Sequence, residues 1–135
     1  YELDKLWTQS KNSFIARGMG RCYGDGSLAS QVLSTVNYSH LLDLDEEHGV
    51  LVAESGITLN QLLETLIPRG WFLPVTPGTS YVTLGGAVAA DVHGKNHHKD
   101  GSFGSHVKSI VLIWVITDIL YYFVVHRLVF LWLMD

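Results

Sequence analysis

Apolar and polar positions alternate in short runs over the first part of the chain. SFIARG reads as a strand running into a glycine-rich stretch, and LLDLD, EEHG and VLVAE read as strand, turn and strand. A polar tetrapeptide between two β-rich runs is a hairpin signal. The period then changes. Leu59, Leu62, Leu63, Leu66 and Ile67 follow at helical spacing, which predicts an amphipathic helix. Thr58 and Gln61 form a capping box at its start, and Gly70 is placed to stop it. WFLPV is extended, because Pro74 and Pro77 disfavour helix at the residues before them. GGAVAADVHG predicts a short helix of small residues, and the run from Val107 to Val115 a buried strand. Hairpins mixed with helices, rather than regular βαβ alternation, place the chain in the α+β class.

The last stretch departs from this texture. Between Ile110 and Met134, 21 of 25 residues are apolar or aromatic. A membrane span needs about 20 such residues. Asp118 and the pair His126-Arg127 break the run, and a charge at mid-bilayer costs at least ~2.5 kcal/mol. Two readings stand. One is a membrane-associated segment, with a location at the membrane or cell envelope. The other is a buried strand followed by an apolar tail.

Composition narrows the partners. The 135 residues carry nine Lys plus Arg against thirteen Asp plus Glu, a net charge of −4. Without a basic surplus, nucleic acid is not an expected partner. The single cysteine, Cys22, excludes an intrachain disulfide and a cysteine-rich zinc site. The first residues show no basic-then-apolar leader pattern.

Candidate chemistry lies in two glycine-rich segments. The first is ARGMGRCYGDG, Ala16 to Gly26. Phosphate oxygens bind best where backbone N–H groups converge, and side chains there block the approach. Arg17 and Arg21 add charge. A pyrophosphate cradle is one reading and a glycine-rich surface turn the other. Gly18, Gly20 and Gly24 give G-x-G-x-x-x-G, one residue too long for the usual dinucleotide fingerprint. No P-loop signature is present.

The second segment, VTPGTSYVTLGGAVAADVHGKNHHKDGSFGSHV, completes a pattern. Together the two resemble the FAD-binding domain of the vanillyl-alcohol oxidase and p-cresol methylhydroxylase flavoproteins, and within it the decaprenylphosphoryl-β-D-ribose oxidase branch, with aldonolactone oxidases next. The resemblance covers about Phe14 to Trp114. It implies FAD as cofactor. It also implies that the first loop, Ala16, Arg17, Gly18, Met19, Gly20, Arg21, Cys22, Tyr23, Gly24, Asp25 and Gly26, wraps the pyrophosphate. Gly78, Thr79, Thr83, Leu84, Gly85, Gly86, His93, Gly94, Lys95 and Asn96 are then expected to line the rest of the cofactor. Small residues such as Ala87, Ala89 and Ala90 leave room for its rings.

One departure carries chemistry. Many members of the superfamily hold the flavin covalently through a histidine in the first loop. Arg21 stands there, so the expectation is non-covalent FAD. His93, His97 and His98 suggest a metal by spacing, but Gly94 and the turn-like KDGSFG argue against a helix presenting them together, and no metal is expected. Lys95 stabilises charge on a reduced flavin or is a solvated loop lysine. Cys22 reads as structural.

The resemblance ends near Val115. The family continues through a polar turn, a further strand and a separate substrate domain, and ITDILYYFVVHRLVFLWLMD shows neither turn nor strand. The expected organisation is a partial FAD-binding domain, residues 1–115, and an atypical apolar tail, 116–135. Its catalytic residues are left unassigned. The implied activity is oxidation of a sugar hydroxyl to a ketone, with a sugar or polyprenyl-phosphate sugar as substrate of the full-length enzyme. An aldonolactone oxidase, or a non-catalytic remnant whose tail binds membrane or a partner, is the alternative.

Overall fold

The computed structural model describes residues 14–117 and 120–131, with side chains described through residue 112. Two short strands, β1 (Phe14–Arg17) and β2 (Gln31–Ser34), pair in parallel, Phe14 opposite Gln31 and Arg17 opposite Ser34. Parallel neighbours require a crossover of a dozen or more residues. Here it is the glycine-rich loop, with no helix in it.

β3 (Leu41–Asp45) and β4 (Val50–Glu54) form the expected antiparallel hairpin. Its turn is fixed by Asp45. Oδ1 accepts from the Glu47 and His48 amides at 3.1 and 3.0 Å, and Oδ2 lies 2.8 Å from His48 Nδ1. These bonds, the His48 amide foremost, lower the pKa of the exposed Asp45 carboxyl. A lowered folded-state pKa contributes stability above the unfolded value near 3.8, which is lost as pH falls through the folded value. Asp45→Ala should therefore lower the melting temperature at neutral pH. The gap to wild type should close in acid well below the usual carboxylate range. An equal gap at both pH values would refute the role.

Helix α1 (Leu59–Leu66) opens with the capping box in place. Gln61 N–H donates to Thr58 Oγ1 at 3.2 Å, and Thr58 N–H donates to Gln61 Oε1 at 2.9 Å. Leu59, Leu62 and Leu66 are buried and Leu63 half-buried. Ile67 does not extend this face. It begins a 3-10 turn, Ile67–Arg69, and is 55% exposed. Gly70, at φ 79°, ends the turn. Helix α2 (Leu84–Ala89) and the single-turn α3 (His97–Asp100) follow, then a 3-10 turn, Phe103–His106.

The hairpin and α1 share one core. Leu51, Ala53, Ile57, Leu59, Leu62, Leu66, Leu73, Val75, Leu84, Ala87 and Phe103 are all buried. Each large aliphatic there contributes about 1.5–3 kcal/mol.

The C-terminal part corrects two expectations. β5 (Val107–Thr117) forms, but Ile110, Val111 and Leu112 are 42, 51 and 42% exposed, so this part of it is not buried. A further strand does follow. β6 (Leu120–Leu131) pairs antiparallel with both β5 and β4, giving the order β3-β4-β6-β5. An apolar run without strict alternation is consistent with a strand bounded on both sides by neighbours, and periodicity alone does not separate it from a buried helix. Among the described residues no helix is long and apolar enough to cross a membrane.

Candidate functional site

Thr83 is the hinge of the site. It caps α2 from an extended conformation, and Gly86 N–H donates to its Oγ1 at 3.1 Å. It also faces Gly18 across 65 positions of sequence (83 − 18). A Cβ at Gly18 would fall on Thr83 Oγ1 and lie 2.7 Å from its Cγ2. The two glycine-rich segments thus meet at a contact that only glycine permits.

Between them lies a cleft of about 290 Å³. Of the expected residues, Ala16, Arg17, Gly18, Met19, Gly20, Arg21, Cys22 and Gly26 line it from the first segment, and Thr83 and Gly86 from the second. Ser27, Val82, Ala89, Ala90 and Val92 complete its wall and are not among the site residues expected from the sequence. Ala89 and Ala90 were expected only to leave room for rings. Tyr23, Gly24 and Asp25 sit on the exposed bend of the loop, outside the cleft, and Tyr23 is fully exposed.

The loop is open to an anion. Gly20 and Gly24 take φ of 62° and 59°, the left-handed region that glycine enters without penalty. Among the described residues, the one hydrogen bond within 18–26 is accepted by the Asp25 carbonyl, from Leu28 N–H at 2.9 Å. Arg17 and Arg21 are exposed, and no ion pair among the described residues engages them.

Helix α2 contributes shape rather than donors. Leu84 N–H donates to the Ile57 carbonyl at 2.7 Å, Gly85 N–H to Ser55 at 2.7 Å, and Ala87 N–H to Thr83 at 2.8 Å. With Gly86 bound to Thr83, the amides of its first turn are already engaged. Leu84 is in the core. Gly85 lies against Ser55, where a Cβ would sit 2.9 Å from the serine Cβ. Thr79, exposed, accepts from Tyr81 N–H at 3.2 Å. None of these three lines that cleft or the second one, formed around Phe72 to Gly78 and His93 to His97.

The remaining expected residues gather elsewhere. Gly78, His93, Gly94, Lys95 and Asn96 line a second cleft of about 750 Å³ with Phe72, Pro74 and Pro77. Asn96 braces it, donating to the Pro74 carbonyl at 3.0 Å and to Asp100 Oδ2 at 2.7 Å. Gly94 is buried, and a Cβ there would lie 2.8 Å from the Thr76 carbonyl oxygen. The rings of His93 and His97 are 4.9 Å apart and those of His97 and His98 4.1 Å. Among the described residues no three His, Cys, Asp or Glu groups converge for a metal ion. Lys95 is exposed at the rim.

Comparison with known proteins gives the arrangement a context. The family described as FAD binding domain matches residues 3–114. The chain is 42% identical over 101 residues to a decaprenylphosphoryl-β-D-ribose oxidase of Mycolicibacterium smegmatis, covering 73% of this chain and 22% of that protein. It is 28% identical over 83 residues to L-gulonolactone oxidase 3 of Arabidopsis thaliana, covering 61% of this chain and 14% of the relative. Among solved structures, an alkyldihydroxyacetonephosphate synthase superposes with a TM-score of 0.71 at 18% identity, over 88% of this chain and 27% of that one. The chain therefore spans under a quarter of the length of these two curated relatives.

Proposed function

Because the chain belongs to the FAD binding domain family, we propose that it is the cofactor-holding part of an FAD-dependent oxidoreductase that oxidises a sugar hydroxyl to a ketone with non-covalent FAD. The observation that carries this reading is the seat of Gly18 on Thr83. It brings a glycine loop with two arginines that have no ion-pair partner among the described residues against a wall of small residues. Those residues fit a dinucleotide: bare backbone and two guanidiniums for the pyrophosphate, and Gly86, Ala89 and Ala90 leaving width beside it.

FAD, when bound, supplies a two-electron acceptor that takes a hydride from a carbinol carbon. The chain's own residues bind and orient. Arg17 and Arg21 offset phosphate charge at the loop. Gly78 and His93 to Asn96 wall the second cleft, and the bracing of Asn96 keeps that wall in place. Lys95 at its rim is a cation available to a developing negative charge.

The sugar class follows the M. smegmatis relative, whose name specifies a decaprenylphosphoryl-β-D-ribose. A polyprenyl-phosphate sugar is accordingly the proposed substrate of the whole enzyme, with the catalytic residues unassigned within this chain. An aldonolactone is the alternative, after the L-gulonolactone oxidase relative. The exposed Ile110, Val111 and Leu112 on β5 support a second reading, a non-catalytic piece that associates with membrane or a partner through apolar surface. Reconstitution separates the two: the first requires a yellow protein with a flavin absorption band, the second a colourless one that refuses FAD.

Arg21, in place of a flavin-bonding histidine, makes the attachment non-covalent. Acid precipitation of the FAD-loaded protein should leave all flavin fluorescence in the supernatant. Fluorescence retained on the denatured polypeptide would overturn the assignment.

A further inference from the structure

Asp91 stands between the two clefts. Ala89, Ala90 and Val92 belong to the first and His93, Gly94 and Lys95 to the second. The chain turns from one to the other at Asp91, which has φ 42°, the one positive φ at a non-glycine among the described residues. The turn is the two-bond motif that ends many helices. Val92 N–H donates to the Ala87 carbonyl and Asp91 N–H to the Val88 carbonyl, both at 3.0 Å. Glycine is usual at this left-handed position. Aspartate enters it more readily than most residues because its side chain can bond locally.

Here the side chain bonds across space instead. Asp91 Oδ1 accepts from Gly104 N–H at 2.8 Å, and that bond foremost, with Ser102 after it, holds the carboxyl below its ordinary pKa. Phe103 N–H, between them, donates to the Val92 carbonyl at 2.8 Å. The fit is close, since a Cβ at Gly104 would lie 2.9 Å from Asp91 Oδ1. The left-handed backbone and the carboxylate together tie the exit of α2 to the segment 102–104.

The geometry points to Asp91 as a positioning residue that sets the first cleft against the second, so that one extended dinucleotide can occupy both. This rests on the FAD-binding reading above. A ligand linked across two sites gains affinity only if their spacing matches its own. A ligand confined to one cleft gains nothing from that spacing.

The test uses the full chain and two probes, FAD and inorganic pyrophosphate, followed by calorimetry and flavin fluorescence. If wild type binds no FAD, the proposed function itself fails, and the positioning role with it. If it does, Asp91→Ala should raise the FAD Kd about tenfold and the pyrophosphate Kd less than about twofold, a partial loss of the gain from linkage. Asp91→Asn should restore FAD affinity, because its amide oxygen can accept from Gly104 and asparagine also enters the left-handed region. Gly104→Ala, which crowds the carboxylate from the other side, should behave as Asp91→Ala does. Unchanged FAD affinity in the alanine variants, equal losses for both probes, or failure of asparagine to rescue would each overturn the assignment.

Discussion

Gly18→Val should abolish measurable FAD binding at concentrations that saturate wild type, a loss of at least about a hundredfold, or ~2.8 kcal/mol. The reason is the contact at Thr83. A valine Cβ would overlap the threonine hydroxyl, with two further methyl carbons beyond it. Either the loop lifts away from α2 or Thr83 leaves its rotamer. The first opens the cleft, and the second removes the acceptor for Gly86 N–H. Gly86→Val offers an instructive contrast. Its Cβ would sit 3.0 Å from Thr83 Oγ1 with no other heavy atom within 4 Å apart from its chain neighbours and the backbone of its own helix, so it should narrow the cleft without separating its walls. FAD titration monitored by fluorescence checks both. Equal, wild-type-like affinities would remove the loop from the cofactor site.

The largest loss of stability is expected at a glycine outside the site. Gly56 is buried between the end of β4 and α1. Its N–H donates to the Tyr38 carbonyl at 2.7 Å, and a Cβ would collide with the Thr35 carbonyl oxygen and lie 2.7 Å from that of Tyr38. Both obstacles are backbone and cannot rotate away. Thr35 is itself held, its N–H donating to the Arg17 carbonyl at 3.0 Å. Gly56→Val should therefore cost at least the upper end of the ~1–3 kcal/mol typical of overpacking. Urea unfolding at matched m-values measures it. A change within ~0.5 kcal/mol, the range of an ordinary surface substitution, would show that the segment 35–38 yields more easily than its bonds imply.

Local signals were legible and distant ones were not. Thr58 and Gln61 sit three positions apart, so their mutual bonds could be read from spacing alone. The β3-β4 hairpin was likewise contained in one short window. The partnership of Gly18 with Thr83 has no local signature, and it entered only through resemblance of the two segments to a known family. That resemblance treated the second segment as one lining, whereas the structure divides it. Thr83 and Gly86 face the loop, Gly78 and His93 to Asn96 face a separate cleft, and Leu84 serves the core. Asp91 was passed over because a left-handed turn is sought at glycine, and the partner that makes it tolerable at aspartate, Gly104, lies thirteen positions on. β6 was missed for a different reason. Its apolar run carries no alternation to show a strand, and its pairing depends on β4, more than sixty residues earlier.

The seat of Gly18 on Thr83 also orders events in time. Closing a loop of that length gains no contact energy until both ends are formed, and such long-range closures slow folding. A nascent chain emerging from its N-terminus cannot build the cleft until α2 has been synthesised, and until then the glycine loop has little beyond the Leu28–Asp25 backbone bond to hold it. A ligand that recognises only the closed arrangement then draws the whole equilibrium toward it by mass action, by about 2.7 kcal/mol at a hundred times its Kd. Cofactor supply during synthesis thereby becomes a determinant of how much of the chain reaches its folded form.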